Sequence, residues 1–349
     1  MALDEAPPFW WRNPGFRSWL VAPIGFAYGR IAAARMDAEP SYSAKMPVIC
    51  VGNFVVGGGG KTPTVQLLVK HLIAKGYKPG VLSRGHGGAI TSPSLVNPEM
   101  HNAHDVGDEP LLHAALAKTV VAADRPKGAA ILEEEGCNIM VMDDGFQNPS
   151  LEKDYNLVVV DTKRGLGNGF PVPAGPLRVP LTRQMIHTDS VLLIGGYERG
   201  KRVVRKAARA AKPIFQARVK VKNKKQFKGL NVLAFAGIAD PTKFFDTVEK
   251  IGAIIKDKQG FGDHHVFLED ECKELLERAR KEQLELVTTT KDHVRLLGMG
   301  DAQNKVAELA MPLDIDLVPD NPGMLDIVVR TAVERYDQRR LRDQKLSSQ

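Results

Sequence analysis

From residue 47 onward, short runs of consecutive apolar, often β-branched residues alternate with stretches whose apolar positions recur every three to four residues. PVICV leads into a stretch with Val65, Leu68, Val69, Leu72 and Ile73 on one helical face. PGVLS, TVVAA, NIMVMD, LVVVD and VLLIG follow. Continuous apolar runs read as strands covered on both faces, and their alternation with helical segments predicts a parallel sheet wrapped by helices. The pattern changes near Lys212. Residues 214–222 (IFQARVKVK) alternate like a solvent-facing strand, and NVLAFAGIADPTKFFDTVEKIG reads as a strand, a glycine turn and a helix opening a smaller unit. That unit takes in ELVTTTKDHVRLL and closes with LDIDLVP, a second polar strand able to pair with the linker strand, before a helical and then charged tail. The expected fold is α/β, with a second, smaller α/β domain joined by a strand linker. The expected boundaries are 1–40 for an N-terminal helix, 41–213 for the larger domain, and 214–349 for linker, smaller domain and terminal helix.

The N-terminal segment breaks the pattern. Trp10, Trp11 and Trp19 all fall in the first 20 residues, followed by LVAPIGFAYGRIAAARM with Arg12, Arg17, Arg30 and Arg35 around it. An apolar stretch of about a dozen residues is shorter than the roughly 20 that span a bilayer, whereas Trp with Arg suits a headgroup interface. A monotopic membrane contact is expected, with a plain core helix as the alternative. A signal peptide is disfavoured because Asp4 and Glu5 precede the apolar run.

A chain of 349 residues with 43% hydrophobic and 26% charged residues has ordinary globular composition and room for two cores. Cys50, Cys137 and Cys272 are far apart and form no CxxC pair, so neither a disulfide framework nor a structural zinc site is suggested, and a reducing cytoplasm fits best. The net charge of +7 comes from residues 199–228, which hold thirteen Lys or Arg and no acid. Such a block can face nucleic acid, an anionic membrane or plain solvent. Only Phe215 and Phe227 interleave it, poor material for base stacking, so no nucleic-acid partner is expected.

The candidate chemistry starts at PVICVGNFVVGGGGKTPTVQLL. A buried strand, a glycine-rich loop (Gly57, Gly58, Gly59, Gly60), Lys61 and Thr62 stand directly before an amphipathic helix. Backbone N–H groups of such a loop wrap a phosphate chain, the lysine reaches its terminal phosphates, and the threonine hydroxyl can hold Mg²⁺. Strict GxxxxGK[ST] spacing needs glycine at position 55, which is Val55, so this is a longer P-loop variant. NIMVMDDGFQ places Asp143 and Asp144 at a strand end, where an acid can help hold the metal. Asp161 of LVVVD is a rival.

VGNFVVGGGGKTP, LSRGHGG, GDEPLL, AADRPKGA, DDGFQNPSL, DTKRGLGNGFPVPAGPLR, AGIADPTKFF and FGDHHVF, in this order over residues 47–270, resemble the tetraacyldisaccharide 4′-kinases of lipid A biosynthesis. The resemblance implies a P-loop NTPase-like larger domain and ATP-dependent phosphorylation of the 4′-hydroxyl of tetraacyldisaccharide 1-phosphate. It places the enzyme at the cytoplasmic face of the bacterial inner membrane, with no obligate protein partner. It gives Lys61 and Thr62 the phosphate and metal roles and sets Glu109, Asp143 and Asp144 around Mg²⁺. Asp108 becomes the catalytic base, partnered by His264, and Arg84, Arg125, Gln147 and Asn168 become substrate-binding residues. His86 stands where the family usually has Tyr, and Val179 where Glu is usual. Asp108 and His264 fall in different expected domains, so the smaller must close over the larger for them to meet.

The residues themselves admit rivals: a metallochaperone GTPase, an ATP-dependent carboxylase-like ligase, or a membrane-peripheral or nucleic-acid-binding protein using nucleotide only as a switch. Metal insertion needs a Cys or His relay, and the scattered cysteines supply none.

Overall fold

The structure, a computed structural model, describes residues 6–347. Its helices in chain order are α1 (Phe16–Met36), α2 (Lys61–Ala74), α3 (Ala103–Val106), α4 (Asp108–Ala114), α5 (Arg125–Glu134), α6 (Leu181–His187), α7 (Tyr197–Arg209), α8 (Pro241–Lys250), α9 (Glu269–Glu282), α10 (Thr290–Leu296), α11 (Asp301–Leu309) and α12 (Met324–Ser347). The strands are β1 (Val48–Gly52), β2 (Pro79–Ser83), β3 (Ser94–Leu95), β4 (Lys118–Val121), β5 (Ile139–Asp143), β6 (Tyr155–Asp161), β7 (Ser190–Ile194), β8 (Ile214–Val221), β9 (Asn231–Ala236), β10 (Ile254–Gly260), β11 (Glu285–Thr289), β12 (Met311–Leu313) and β13 (Ile315–Pro319).

Among the described residues, nine strands form a sheet in the order β13-β8-β7-β6-β1-β5-β2-β4-β3, and four form a second in the order β10-β9-β11-β12. The larger sheet is parallel except at its edges, where β13 runs against β8 and β3 against β4. Every residue of β1, β2, β5 and β7 is buried, as their unbroken apolar runs require of strands covered on both faces. α2 and α12 cover one face, through Val65, Leu68, Val328 and Val329 on Ile49 and Val51. The other face carries α5, α6, α7 and the end of α1, through Leu132, Met185, Val203, Ala207 and Met36. The smaller sheet is all parallel, with Phe244 and Val248 of α8 on one face and α9 and α11 on the other.

The chain leaves the larger sheet through β8 and returns through β13, which pairs Ile315 with Val221 and Pro319 with Ala217. The last helix, α12, therefore rests on the larger sheet although the smaller one precedes it in sequence. A buried Arg339–Asp154 pair at 3.0 Å fixes it there.

α1 docks by its small residues. Ser18, Ala22, Gly25, Gly29 and Ala33 face the protein, and a Cβ on Gly25 would come within 2.9 Å of the Pro171 carbonyl. Phe16, Trp19, Leu20, Ile24 and Ile31 point outward and are 59–81% exposed. The three tryptophans do not act alike. Trp10 is buried and donates its indole N–H to the Pro173 carbonyl, Trp11 lies under the Arg164 guanidinium, and Trp19 is exposed against the edge of Phe170. No described helix is long and apolar enough to cross a membrane.

Candidate active site

The loop after β1 sits at the carboxyl end of the larger sheet, where open parallel sheets bind their ligands. Gly60 caps α2 at φ +95°, a left-handed conformation that L side chains rarely adopt, and a Cβ there would collide with Ile194. Lys61, the first residue of α2, folds back and donates to the Gly58 carbonyl at 3.2 Å, with Asp144 at 3.9 Å. Thr62 donates its hydroxyl to Glu109 Oε1 at 2.7 Å.

β5 pairs in register with β1, setting Asp143 beside Val51, so the acids arrive next to the phosphate loop. The buried His113 ring approaches Asp143 Oδ2 at 3.1 Å, and Asp143 Oδ1 is buried without a partner. Asp144 adopts φ +51° and is gripped by both terminal nitrogens of Arg178, at 2.8 and 2.9 Å. Burial would raise its carboxyl, but Lys61 and Arg178 outweigh that and hold it below the usual range. Glu109 behaves alike: burial opposes ionisation, and the Lys291 and Lys61 charges keep it ionised. Lys291 reaches Glu109 Oε1 at 2.5 Å from the other half of the molecule.

Asp108 and His264 meet. Their closest atoms are 3.5 Å apart, Asp108 Oδ1 to His264 Nδ1, across the gap between the two sheets. His264 takes φ +55° in the loop after β10 and lines the cleft, while Asp108 lies behind it at 3% exposure. Arg295 of α10 donates twice to Asp108 Oδ2, at 2.9 and 2.6 Å, and is itself held by Asp292 and the Gly237 carbonyl. Burial would raise the Asp108 carboxyl, but His264, Arg295 and Lys291 drive it far below the usual carboxylate range. The same carboxylate raises His264 above its ordinary 6.5, against partial burial. Lys163–Asp240 at 2.7 Å and Lys243–Asp161 tie the halves on the far side of the cleft. Asp161, the rival acid, is thereby paired with a lysine.

The cleft between the halves has a volume of about 2650 Å³, well above the 300–1,000 Å³ of an ordinary small-molecule site. Gly57, Gly58, Gly59, Gly60, Lys61, Thr62, Arg84, Glu109, Arg125, Asp143, Asp144 and Gln147 all line it. Arg84 is exposed there, Arg125 is buried with a bond to the Ala122 carbonyl, and Gln147 bridges the Asn53 carbonyl and Gln184. Asn168, expected to contact substrate, is not among the residues that line the cleft. It is buried outside the cleft, and its amide donates to Ser18 and the Ala174 carbonyl, so it roots α1. His86 packs edge-on to His264, and Val179 is buried.

Arg178, Lys291 and Arg295 join the site without a sequence signal of their own. Arg178 lies inside the PAGPLR motif. Lys291 and Arg295 lie one helical turn apart in TKDHVRLL, a spacing that puts two cations on one face.

Among the described residues no three His, Cys, Asp or Glu gather as a ready metal cage. Oxygen donors are nevertheless at hand in Thr62, Glu109, Asp143 and Asp144, and Asp143 Oδ1 lacks a partner. That set fits a magnesium ion that keeps waters and shares phosphate oxygens, using one or two carboxylates.

A profile of the family described as tetraacyldisaccharide-1-P 4′-kinase, LpxK, matches residues 17–332. Tetraacyldisaccharide 4′-kinase of Rhizobium rhizogenes is 47% identical over 341 residues, 98% of this chain and 96% of the relative. That of Agrobacterium fabrum is 47% identical over 346 residues, 99% of each chain. The solved structure of LpxK from Aquifex aeolicus in complex with ATP shares the fold, with TM-score 0.70 at 24% identity over 90% of this chain and 99% of that one. On these matches, which run nearly the full length of the chain, it belongs to the tetraacyldisaccharide 4′-kinase family, the lipid kinases of a step in lipid A biosynthesis.

Proposed function

We propose that the chain transfers the γ-phosphoryl group of ATP, with Mg²⁺, to the 4′-hydroxyl of tetraacyldisaccharide 1-phosphate, at the inner-membrane surface facing the cytoplasm. The observation that carries this reading is the two-walled cleft. A lysine-tipped phosphate loop lines it from the larger half, and His264 lines it from the smaller half with Asp108 of the larger half behind it.

Phosphoryl transfer asks an enzyme to position the reactants and neutralise charge. The glycine loop holds the phosphates, and Lys61 stands against the charge that builds on the transferring group. Thr62 and Glu109, with Asp143 and Asp144, would hold magnesium, which when bound neutralises phosphate oxygens. Arg178 keeps Asp144 oriented, and His113 keeps Asp143 oriented. Arg84 and Arg125 supply positive charge for the lipid's own phosphate, and Gln147 steadies the loop through the Asn53 carbonyl.

The Asp108–His264 pair accepts the hydroxyl proton as one unit. Arg295 keeps Asp108 ionised, and His264 holds the cleft-facing position with its basicity raised by that carboxylate. Domains divide as 1–40, 41–213 and 214–349, with β8, β13 and α12 shared back into the larger sheet. The outward apolar face of α1 lies in the membrane interface, where the lipid is presented.

The test is ATP turnover by purified protein with and without the acylated disaccharide 1-phosphate. Lipid-dependent ADP release with incorporation of label at the 4′ position is expected. ATP hydrolysis indifferent to the lipid would overturn the reading.

A further inference from the structure

Glu109 is occupied twice. Its Oε1 accepts the Thr62 hydroxyl at 2.7 Å and the Lys291 ammonium at 2.5 Å. Thr62 follows the P-loop lysine directly, so an ammonium from the opposite half sits on a carboxylate that would help hold a phosphate-bound magnesium. Lys291 lies in the first turn of α10, and Arg295 is one turn further on the same helix. Two consecutive acids at the start of α4, Asp108 and Glu109, thus meet two cations of α10.

The two cations are not equivalent. Arg295 has 7% side-chain exposure and is fixed by Asp108, Asp292 and the Gly237 carbonyl. Lys291 has 27% side-chain exposure, lines the cleft with Thr289 and Thr290, and carries a compact charge on a flexible four-carbon stem. A divalent cation and an ammonium on one carboxylate oxygen repel strongly at such separations. Metal bound at Glu109 would therefore compete with Lys291, whose stem lies in the same cleft as the phosphate loop.

We propose that Lys291 is a further residue of the phosphoryl-transfer site, delivered from the smaller half: it neutralises Glu109 until metal and nucleotide arrive, then yields that oxygen and contacts the transferring phosphoryl group. No bond is made or broken at Lys291 and no proton moves. Its charge reaches the phosphates only when the halves are together, so it couples transfer to their apposition. The inference rests on the reading of the loop as a magnesium–ATP site.

The experiment compares full-length wild type with Lys291→Met and Lys291→Arg. Mn²⁺ alone is titrated without nucleotide and followed by electron paramagnetic resonance, and transfer kinetics are measured separately. Loss of the competing ammonium should tighten Mn²⁺ binding by Lys291→Met at least about fivefold. The same variant should lose roughly 10²-fold in kcat, as when one charge-stabilising donor is removed, with KM for ATP changed less than about threefold. Lys291→Arg, which keeps the charge, should bind Mn²⁺ like wild type and recover most of kcat. Unchanged or weaker Mn²⁺ binding by Lys291→Met, or a kcat within about threefold of wild type, overturns the proposal. Failure of the wild type to bind ATP with magnesium by calorimetry would instead strike the parent reading, while the nucleotide-free Mn²⁺ titration still reports on Lys291.

Discussion

Lys61 and Asp108 show two ways a charged side chain can matter. Lys61 has 10% side-chain exposure and leans on a loop carbonyl, with its nearest acid at 3.9 Å, so its removal leaves no tightly paired partner stranded. Lys61→Ala should fold normally by circular dichroism and lose about 10²- to 10³-fold in kcat. Asp108 is different, because Arg295 is buried against it. Arg295→Ala should lower unfolding free energy by about 3–5 kcal/mol in a denaturant titration, since it strands a buried carboxylate.

For His264 the pH dependences run in opposite directions for stability and for catalysis. His264 is raised above 6.5 by Asp108, so its pairing stabilises the fold fully below pH 6.5 and that contribution is lost as pH rises through the higher folded value. Asp108 is depressed below 3.8, so its contribution is present above that pH and fades as pH falls toward its folded value. The proposed base must accept a proton, so kcat/KM should fall as pH drops through the raised His264 value. Imidazole NMR should place that titration above 6.5 in wild type and back toward 6.5 in Asp108→Asn. A midpoint at or below 6.5 in wild type would contradict the assigned pairing.

At the scale of elements, the P-loop was legible because strand, glycines, Lys61, Thr62 and helix are contiguous in sequence. α10 was not, because the meaning of Lys291 and Arg295 depends on β11 delivering them to the start of α4, about 180 residues earlier, as their pairings with Glu109 and Asp108 show. α1 was half legible. Its apolar content pointed to an interface, but its large residues face outward while the small ones dock, the reverse of an ordinary core-facing helix. Trp10 read as an interface residue and is instead a peg in the loop carrying Pro173. Deleting residues 1–30 would therefore also uncover the 165–180 loop, and point substitutions isolate the outer face better. Trp19→Glu with Leu20→Glu and Ile24→Glu should cut co-sedimentation with anionic vesicles severalfold while leaving ATP affinity unchanged. Vesicle binding equal to wild type would remove α1 from the membrane contact.

For the whole molecule, the run of β-strands and helices announced two sheets, and the pairing of LDIDLVP with IFQARVKVK was readable from their alternation. The return of α12 to the larger sheet was not, since a helical pattern does not name the surface it will cover. That return matters for function. β8 and β13 leave and re-enter the larger sheet as an antiparallel pair, so the smaller half is carried on a two-stranded stem. α10 and the His264 loop then meet α4 across the cleft, while Lys163, Asp161, Asp240 and Lys243 join the halves at the other rim.

A base assembled from both halves should behave as one unit in a double-mutant cycle on kcat. Asp108→Asn keeps the volume and a hydrogen-bond acceptor for Arg295, and His264→Ala removes the imidazole. Each should lower kcat by about 10²- to 10⁴-fold with ATP affinity little changed, and the double variant should be scarcely slower than the poorer single one. Losses that multiply would show instead two residues that act separately, and would overturn the shared base.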